Sequence, residues 1–262
     1  MTRMPFFRLV PGSLDFPSPH LAGPDGLLAI GGDFRPERMI AAYTQGIFPW
    51  MVYSGEPVWF SPDPRMVLEP RRLHVPRSLG KLIRRGDFEI RVDSAFAEVM
   101  RLCAQVKRPG QRGSWITRRY MDGFLELFEL GLAHSIEAWQ RDELVGGLYG
   151  LAIGQAFFGE SMFAHRADAS KVAFAVFVRQ LAAWGVELID CQQETDHLKR
   201  FGAEAWSRVR FLEALAHATR QPGRVGRWRF ELEPAWDGRT SDWPFHGRAL
   251  AAEQASGETE SG

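Results

Sequence analysis

The chain has 262 residues, 45% hydrophobic and 24% charged, with zero formal net charge; this suits one large or two unequal globular domains and shows no global field for a polyanion. Its two cysteines, Cys103 and Cys191, exclude a disulfide framework, and its seven histidines have no zinc-ligand spacing. No run approaches the ~20 apolar residues of a membrane helix and the first eight residues lack a signal-peptide core, so a cytoplasmic, metal-free enzyme that stays off membranes is expected.

Residues 1–66 are rich in Pro, Gly and aromatics. A helix is expected over Pro36–Gln45, entered at Asp33 and stopped at Gly46. Around it, Gly26–Asp33, Gly46–Trp50 and Trp59–Arg65 predict rigid turns and short strands, hence a small N-terminal domain packed on the remainder. The pattern then becomes α+β: a strand at Met66–Glu69, a basic helix at Arg77–Arg84, a strand at Phe88–Val92, and helices at Ser94–Ala104 and Arg118–Leu130. Thr117 is placed to cap the last of these. Three strand segments follow, Ala133–Gln140, Leu144–Ile153 and Gln155–Phe158. An apolar helix, Ser170–Trp184, feeds a strand at Glu187–Cys191; a helix at Ser207–Ala218 and a strand at Arg227–Leu232 complete the domain. The tail, 234–262, carries five acids against two arginines and reads as mobile.

The segment from Glu187 to Thr195 begins as a buried strand and then places Asp190 and Gln192 where a core is apolar. Strand alternation puts Leu188, Asp190 and Gln192 on one face, with Ile189 and Cys191 on the other. A buried carboxylate there must be hydrogen-bonded or shifted in pKa, in a structural network or in a site. A second acid, Glu160, sits among Phe157, Phe158, Met162 and Phe163 and follows Gly159, which permits a sharp bend into a pocket. Glu160 and Asp190 on neighbouring strands, walled by Phe157, Phe177 and Ile189, suit a ligand with an apolar and a cationic part. Arg108–Thr117 has Gly hinges, with Trp115 able to stack on a base and Arg112 able to meet a phosphate. Arg71, Arg72, Arg77, Lys81, Arg84 and Arg85 fall within 15 residues, as a solvated helix face or a phosphate track. No Gly-x-Ser-x-Gly elbow and no phosphate-binding Gly-Lys-Ser/Thr loop occurs, which points to direct transfer between two bound substrates.

Together these blocks resemble bacterial leucyl/phenylalanyl-tRNA–protein transferases. The matching stretches are Leu27–Asp33, Gly46–Trp50, Trp59–Arg65, Gly113–Thr117, His134–Gln140 with Leu144–Gly150, Phe157–Phe163, Ala169–Lys171 and Leu188–Gln192. The resemblance implies a small N-terminal domain over 1–66 and a GNAT-type, acetyltransferase-like domain over 67–233. It also implies transfer of Leu, Phe or Met from aminoacyl-tRNA to proteins beginning with Arg or Lys, marking them for N-end-rule degradation. No cofactor or metal is expected, nor any obligatory dimer. Asp190 and Gln192 are implied as the catalytic pair. Asp190 would polarise Gln192 or take charge or a proton, and Gln192 would bond the attacking amine or the ester carbonyl. Phe157, Glu160, Phe177 and Ile189 are implied to line the aminoacyl pocket, with Leu148 where the family often has Met. Trp50 and Trp115 are implied to contact the tRNA 3′ end, and the Arg71–Arg85 run to track the acceptor stem. An acetyl-coenzyme A-dependent enzyme would need a Gly-rich pyrophosphate loop, for which Asp168–Lys171 is a poor substitute.

Overall fold

The computed structural model describes residues 6–106 and 114–231; Arg112 and the tail 234–262 lie outside the described residues. Strands β1 (Phe7–Arg8), β2 (Leu27–Ile30), β3 (Phe48–Tyr53) and β4 (Glu56–Phe60) form one sheet in the order β1-β2-β4-β3, and helix α1 (Pro36–Tyr43) lies between β2 and β3 in sequence. The Pro/Gly-rich blocks thus supply real strands. The β3–β4 hairpin turns through Ser54 and Gly55, both at positive φ (49° and 82°), the geometry that matches strand twist in a two-residue loop.

The second sheet has the order β11-β5-β10-β9-β8-β7-β6. Its strands are β5 (Arg65–Leu68), β6 (Glu89–Val92), β7 (Ala133–Gln140), β8 (Glu143–Ile153), β9 (Ala156–Ala164), β10 (Leu188–Gln192) and β11 (Glu204–Trp206). The helices are α2 (Arg77–Arg85), α3 (Phe96–Gln105), α4 (Arg118–Glu129), α5 (Ala169–Ala183), α6 (Asp196–Arg200) and α7 (Arg208–Ala218). All ladders in this sheet are antiparallel except β9–β10. A parallel pair needs a crossover, which α5 provides; α5 is buried around most of its circumference, hence its apolar sequence.

Thr117 does cap α4, accepting the Tyr120 N–H. Three expectations change. Strand β9 runs on to Ala164, well past Phe158, and α6 and β11 appear where no element was expected. Residues 227–231 form no strand: side chains satisfy the backbone instead, Asp93 accepting the Trp228 N–H at 2.8 Å and Gln180 accepting the Glu231 N–H at 2.9 Å.

Two apolar cores flank the second sheet. One joins Leu28, Trp59 and Phe60 of the first sheet to Phe124 of α4, Phe158 of β9 and Phe211 of α7. The other packs Leu79 and Ile83 of α2 and much of α5 against Leu148, Phe157 and Ile189. The first sheet therefore shares a core with the second.

Candidate active site

A cavity of about 370 Å³ opens beside β9 and β10, lined among others by Trp50, Trp115, Leu148, Phe157, Glu160, Phe174, Ile189 and Gln192. Three of these side chains are placed by β-bulges. Pro49 pairs with Trp59 and Met51 with Val58, so Trp50 is the extra residue of β3. Tyr149 pairs with Ser161 and Gly150 with Gly159, so Glu160 is the extra residue of β9. Asp190 pairs with Val67 and Gln192 with Met66, so Cys191 is the extra residue of β10, and Gln192 takes a φ of 62°. Bulges break the two-residue alternation and re-aim side chains.

The third bulge corrects the sequence reading of β10. Asp190 and Gln192 do not share a face: Ile189, Cys191 and Gln192 line the cavity, whereas Asp190 does not. Asp190 is fully buried and bound by Arg65 of β5, with Nε to Oδ1 at 2.7 Å and Nη2 to Oδ2 at 2.6 Å. Its Oδ1 also accepts the Gln192 backbone N–H at 2.9 Å. Asp190 therefore holds Gln192 through the main chain, not through the amide side chain.

Arg65 is one of the residues that sequence reasoning missed, with Tyr43, Tyr120 and Phe174. Arg65 is fully buried, with its guanidinium 4.6 Å from the Phe48 ring centroid and 4.7 Å from that of Phe211, and Nη1 donates to the Gly46 carbonyl. The available signal was the block Ser61-Pro62-Asp63-Pro64-Arg65 together with the rule that a buried Asp needs a cation. The rest of that block anchors α7: Asp63 accepts the Arg208 backbone N–H at 3.1 Å, and the Ser61 carbonyl accepts from the Arg208 guanidinium at 2.7 Å.

Glu160 is held from three directions. Its Oε1 accepts from the Tyr43 hydroxyl of α1 at 2.8 Å and from Gln192 Nε2 at 2.9 Å; its Oε2 accepts from the Tyr120 hydroxyl of α4 at 2.7 Å. Burial pushes the Glu160 carboxyl up to about 7, against the lowering pull of the Tyr120, Tyr43 and Gln192 bonds and with the Asp190 charge adding to the rise. Burial likewise raises both phenols well above their usual value, and the Glu160 charge adds to this. The Cys191 thiol is also pushed up by burial, which leaves it a protonated wall group and not a nucleophile at neutral pH.

The aromatic walls divide. Trp50 packs edge-on to Phe60 and Trp115 edge-on to Tyr120, and both remain partly exposed to the cavity. Phe157 and Ile189 line it, and so does Leu148. Phe177 is fully buried and does not line it; it stands behind Phe157, edge-on at 4.9 Å. Phe174, one turn earlier on α5, reaches the cavity instead; a helix apolar on every side does not reveal in sequence which face will do so.

The Tyr120 hydroxyl is set by a close approach of α4. A Cβ on Gly123 would lie 2.1 Å from the Phe34 carbonyl oxygen. Although alanine normally stabilises a helix interior over glycine, Gly123→Ala is expected to destabilise by about 1–3 kcal/mol through overpacking, read as a lower urea midpoint.

Arg71, Arg72, Arg77, Lys81, Arg84 and Arg85 are all exposed. Arg77, Lys81 and Arg84 share one face of α2, opposite buried Leu79 and Ile83. Arg72 pairs with Glu69 and Glu204, and Arg85 with Asp87. Among the described residues no cluster of His, Cys, Asp and Glu could hold a metal, and no helix is long and apolar enough to cross a membrane.

The family models and the curated relatives agree with one another. The sequence model for leucyl/phenylalanyl-tRNA protein transferase matches residues 67–216, and that for its N-terminal domain matches residues 32–63. The chain belongs to the leucyl/phenylalanyl-tRNA–protein transferase family. The transferase of Anaeromyxobacter dehalogenans (strain 2CP-C) is 55% identical over 228 residues, covering 87% of this chain and 97% of that protein. That of Myxococcus xanthus (strain DK1622) is 57% identical over 215 residues, covering 81% and 91%. That of Nitratidesulfovibrio vulgaris (strain DP4) is 54% identical, covering 82% and 92%. Among solved structures, a functionally unknown conserved protein from Staphylococcus epidermidis ATCC 12228 aligns over 55% of this chain at 12% identity and a TM-score of 0.39, too loose a likeness to bear on the fold. The N-terminal match ends at residue 63, between β4 and β5, and the other begins at residue 67, within β5.

Proposed function

We propose that this family member transfers leucine, phenylalanine or methionine from aminoacyl-tRNA to the α-amine of proteins beginning with Arg or Lys, forming a peptide bond that marks them for N-end-rule degradation. The observation that carries the reading is the cavity of a family member in which two tryptophans, an apolar wall and the Gln192–Glu160 pair converge. In this reading the aminoacyl side chain lies against Leu148, Phe157, Phe174 and Ile189, with Phe177 fixing the Phe157 ring from behind. Trp50 and Trp115 stack the terminal adenosine, a contact worth roughly 1–3 kcal/mol per base. The exposed Arg77, Lys81 and Arg84 face, with Arg71, Arg72, Arg85 and Arg112, tracks the acceptor-stem phosphates without reading sequence.

An aminoacyl ester is already activated, so the enzyme's work is to align amine and ester and manage the proton. Gln192 Nε2 gives one of its two N–H groups to Glu160, which leaves its Oε1 and the second N–H for substrate. The amide oxygen can only accept a hydrogen bond, so in this reading Gln192 orients the attacking amine by accepting an amine N–H at Oε1. Asp190 acts through Gln192 as a positioning residue. The division into units 1–66 and 67–233, with 234–262 as a tail, belongs to this reading, and the separate sheets support it. So does a GNAT-type assignment of the second unit, supported by the antiparallel run β6 to β9 ending in the parallel β9–β10 pair. Aminoacyl-tRNA as co-substrate supports a cytoplasmic location, and in this reading the enzyme acts as a monomer.

Radiolabel moving from leucyl-tRNA to a peptide beginning with Arg, and not to one beginning with Glu, is the expected result. Trp50→Ala and Trp115→Ala are each expected to raise the KM for leucyl-tRNA about tenfold or more. An unchanged KM in both variants contradicts the adenosine assignment.

A further inference from the structure

We propose that Glu160 is a catalytic residue of this reaction: it takes the proton from the attacking α-amine and passes it to the departing ribose oxygen. The inference rests on the transferase reading above and assigns a role that sequence resemblance gave to Asp190.

The geometry separates the two acids. Both Asp190 oxygens are bound by Arg65, the residue is fully buried, and it does not line the cavity. A proton from a substrate there has no path to it. Glu160 does line the cavity and touches Gln192, the side chain that orients the amine. An ionised carboxylate offers about four acceptor sites. Oε1 uses two, for Tyr43 and Gln192, and Oε2 uses one, for Tyr120; the fourth, on Oε2, is the position for the amine proton. Its basicity also fits, because burial lifts the carboxyl to about 7, near the operating pH that favours a general base.

The titratable groups around Glu160 come from several elements. Tyr43 of α1, Tyr120 of α4 and Asp190 of β10 act on it directly, with Arg65 of β5 matching the Asp190 charge. Tyr149 and Cys191 line the same cavity, as does His197 of α6, whose pKa burial lowers. Glu137 is also lifted to about 7 by burial but does not line the cavity.

The step balances. The amine lone pair forms the new C–N bond at the ester carbonyl carbon while the carbonyl π electrons move to its oxygen. One N–H proton goes to Glu160 Oε2. The oxyanion collapses, the bond between the carbonyl carbon and the ribose oxygen breaks with its electrons leaving on oxygen, and that oxygen takes the proton back from Glu160. An amide and a free tRNA 3′ end result, with Glu160 regenerated.

Below pH 7 the carboxyl already holds a proton and cannot accept another; above it, the carboxylate can. The test is the ratio of wild-type to Glu160→Gln single-turnover transfer rates from leucyl-tRNA to an Arg-initiated peptide, at saturating tRNA, from pH 5.5 to 8.5. The ratio cancels the titration of the acceptor amine and of Glu137, which both proteins share. It is expected to rise with pH and level above about 7 at roughly 10²-fold or more, the usual worth of a general base. A ratio constant across the range overturns the proposal and assigns the proton to another carrier, such as a ribose hydroxyl of the substrate. Tyr120→Phe removes the donor on Oε2 and is expected to move the wild-type acid limb to higher pH; an unmoved limb overturns the proposal even if Glu160→Gln fails to fold. Wild-type enzyme that labels nothing removes the transferase reading, and this proposal with it, so the two failures are distinct.

Discussion

Asp190→Ala is expected to cost the fold about 3–5 kcal/mol, because it leaves the Arg65 guanidinium buried without its counter-charge. Arg65 is fully buried between the rings of Phe48 and Phe211, and removal of one partner from such a pair costs far more than replacement of both. Arg65→Met combined with Asp190→Leu is therefore expected to recover much of the lost stability in a urea titration. It is not expected to recover transfer, since Gln192 then has no acceptor for its backbone N–H and its left-handed backbone is unsupported. That split, stability regained without activity, distinguishes a positioning role for the pair from a merely structural one. Asp190→Ala protein as stable as wild type would contradict the pair's place in the fold.

Gln192→Ala carries the second large effect, on rate and not on stability. Its side chain makes one hydrogen bond, to Glu160, at the cavity wall, and after truncation Glu160 keeps the Tyr43 and Tyr120 hydroxyls as donors. Transfer is expected to fall on the order of 10²-fold, the scale at which loss of alignment acts on a bimolecular reaction. Binding of leucyl-tRNA, which rests on Trp50, Trp115 and the basic face, is expected to stay within about twofold of wild type. A variant that loses tRNA affinity in proportion to its rate would show that Gln192 serves binding alone.

The sequence showed most of the elements because their periodicities are local. Pro36 and Gly46 bracket α1, Thr117 caps α4, and the apolar run of α5 is that of a buried crossover helix. The site was legible as residue types but not as geometry. Strand alternation put Asp190 beside Gln192, and the bulge at Cys191 sends them to opposite sides. Bulges at Trp50 and Glu160 are equally invisible to a period-two pattern, although Gly159 before Glu160 hinted at a bend. The Arg65–Asp190 pair spans 125 positions and carries no periodic mark. The expected strand at Arg227–Leu232 failed for a similar reason: its β-like residues meet Asp93 and Gln180 side chains instead of a ladder.

The central claim is that this cavity joins an aminoacyl-tRNA ester to a protein N-terminus with Gln192 aligning the amine. Its most direct test is transfer of radiolabelled leucine from leucyl-tRNA to an Arg-initiated peptide by wild-type protein and by Gln192→Ala, with tRNA binding measured on the same preparations. Labelled peptide from the wild type, and about 10²-fold less from the variant at unchanged tRNA affinity, is the expected result. Unlabelled peptide with wild-type protein and demonstrably charged tRNA, or a variant that labels as fast as wild type, would contradict it.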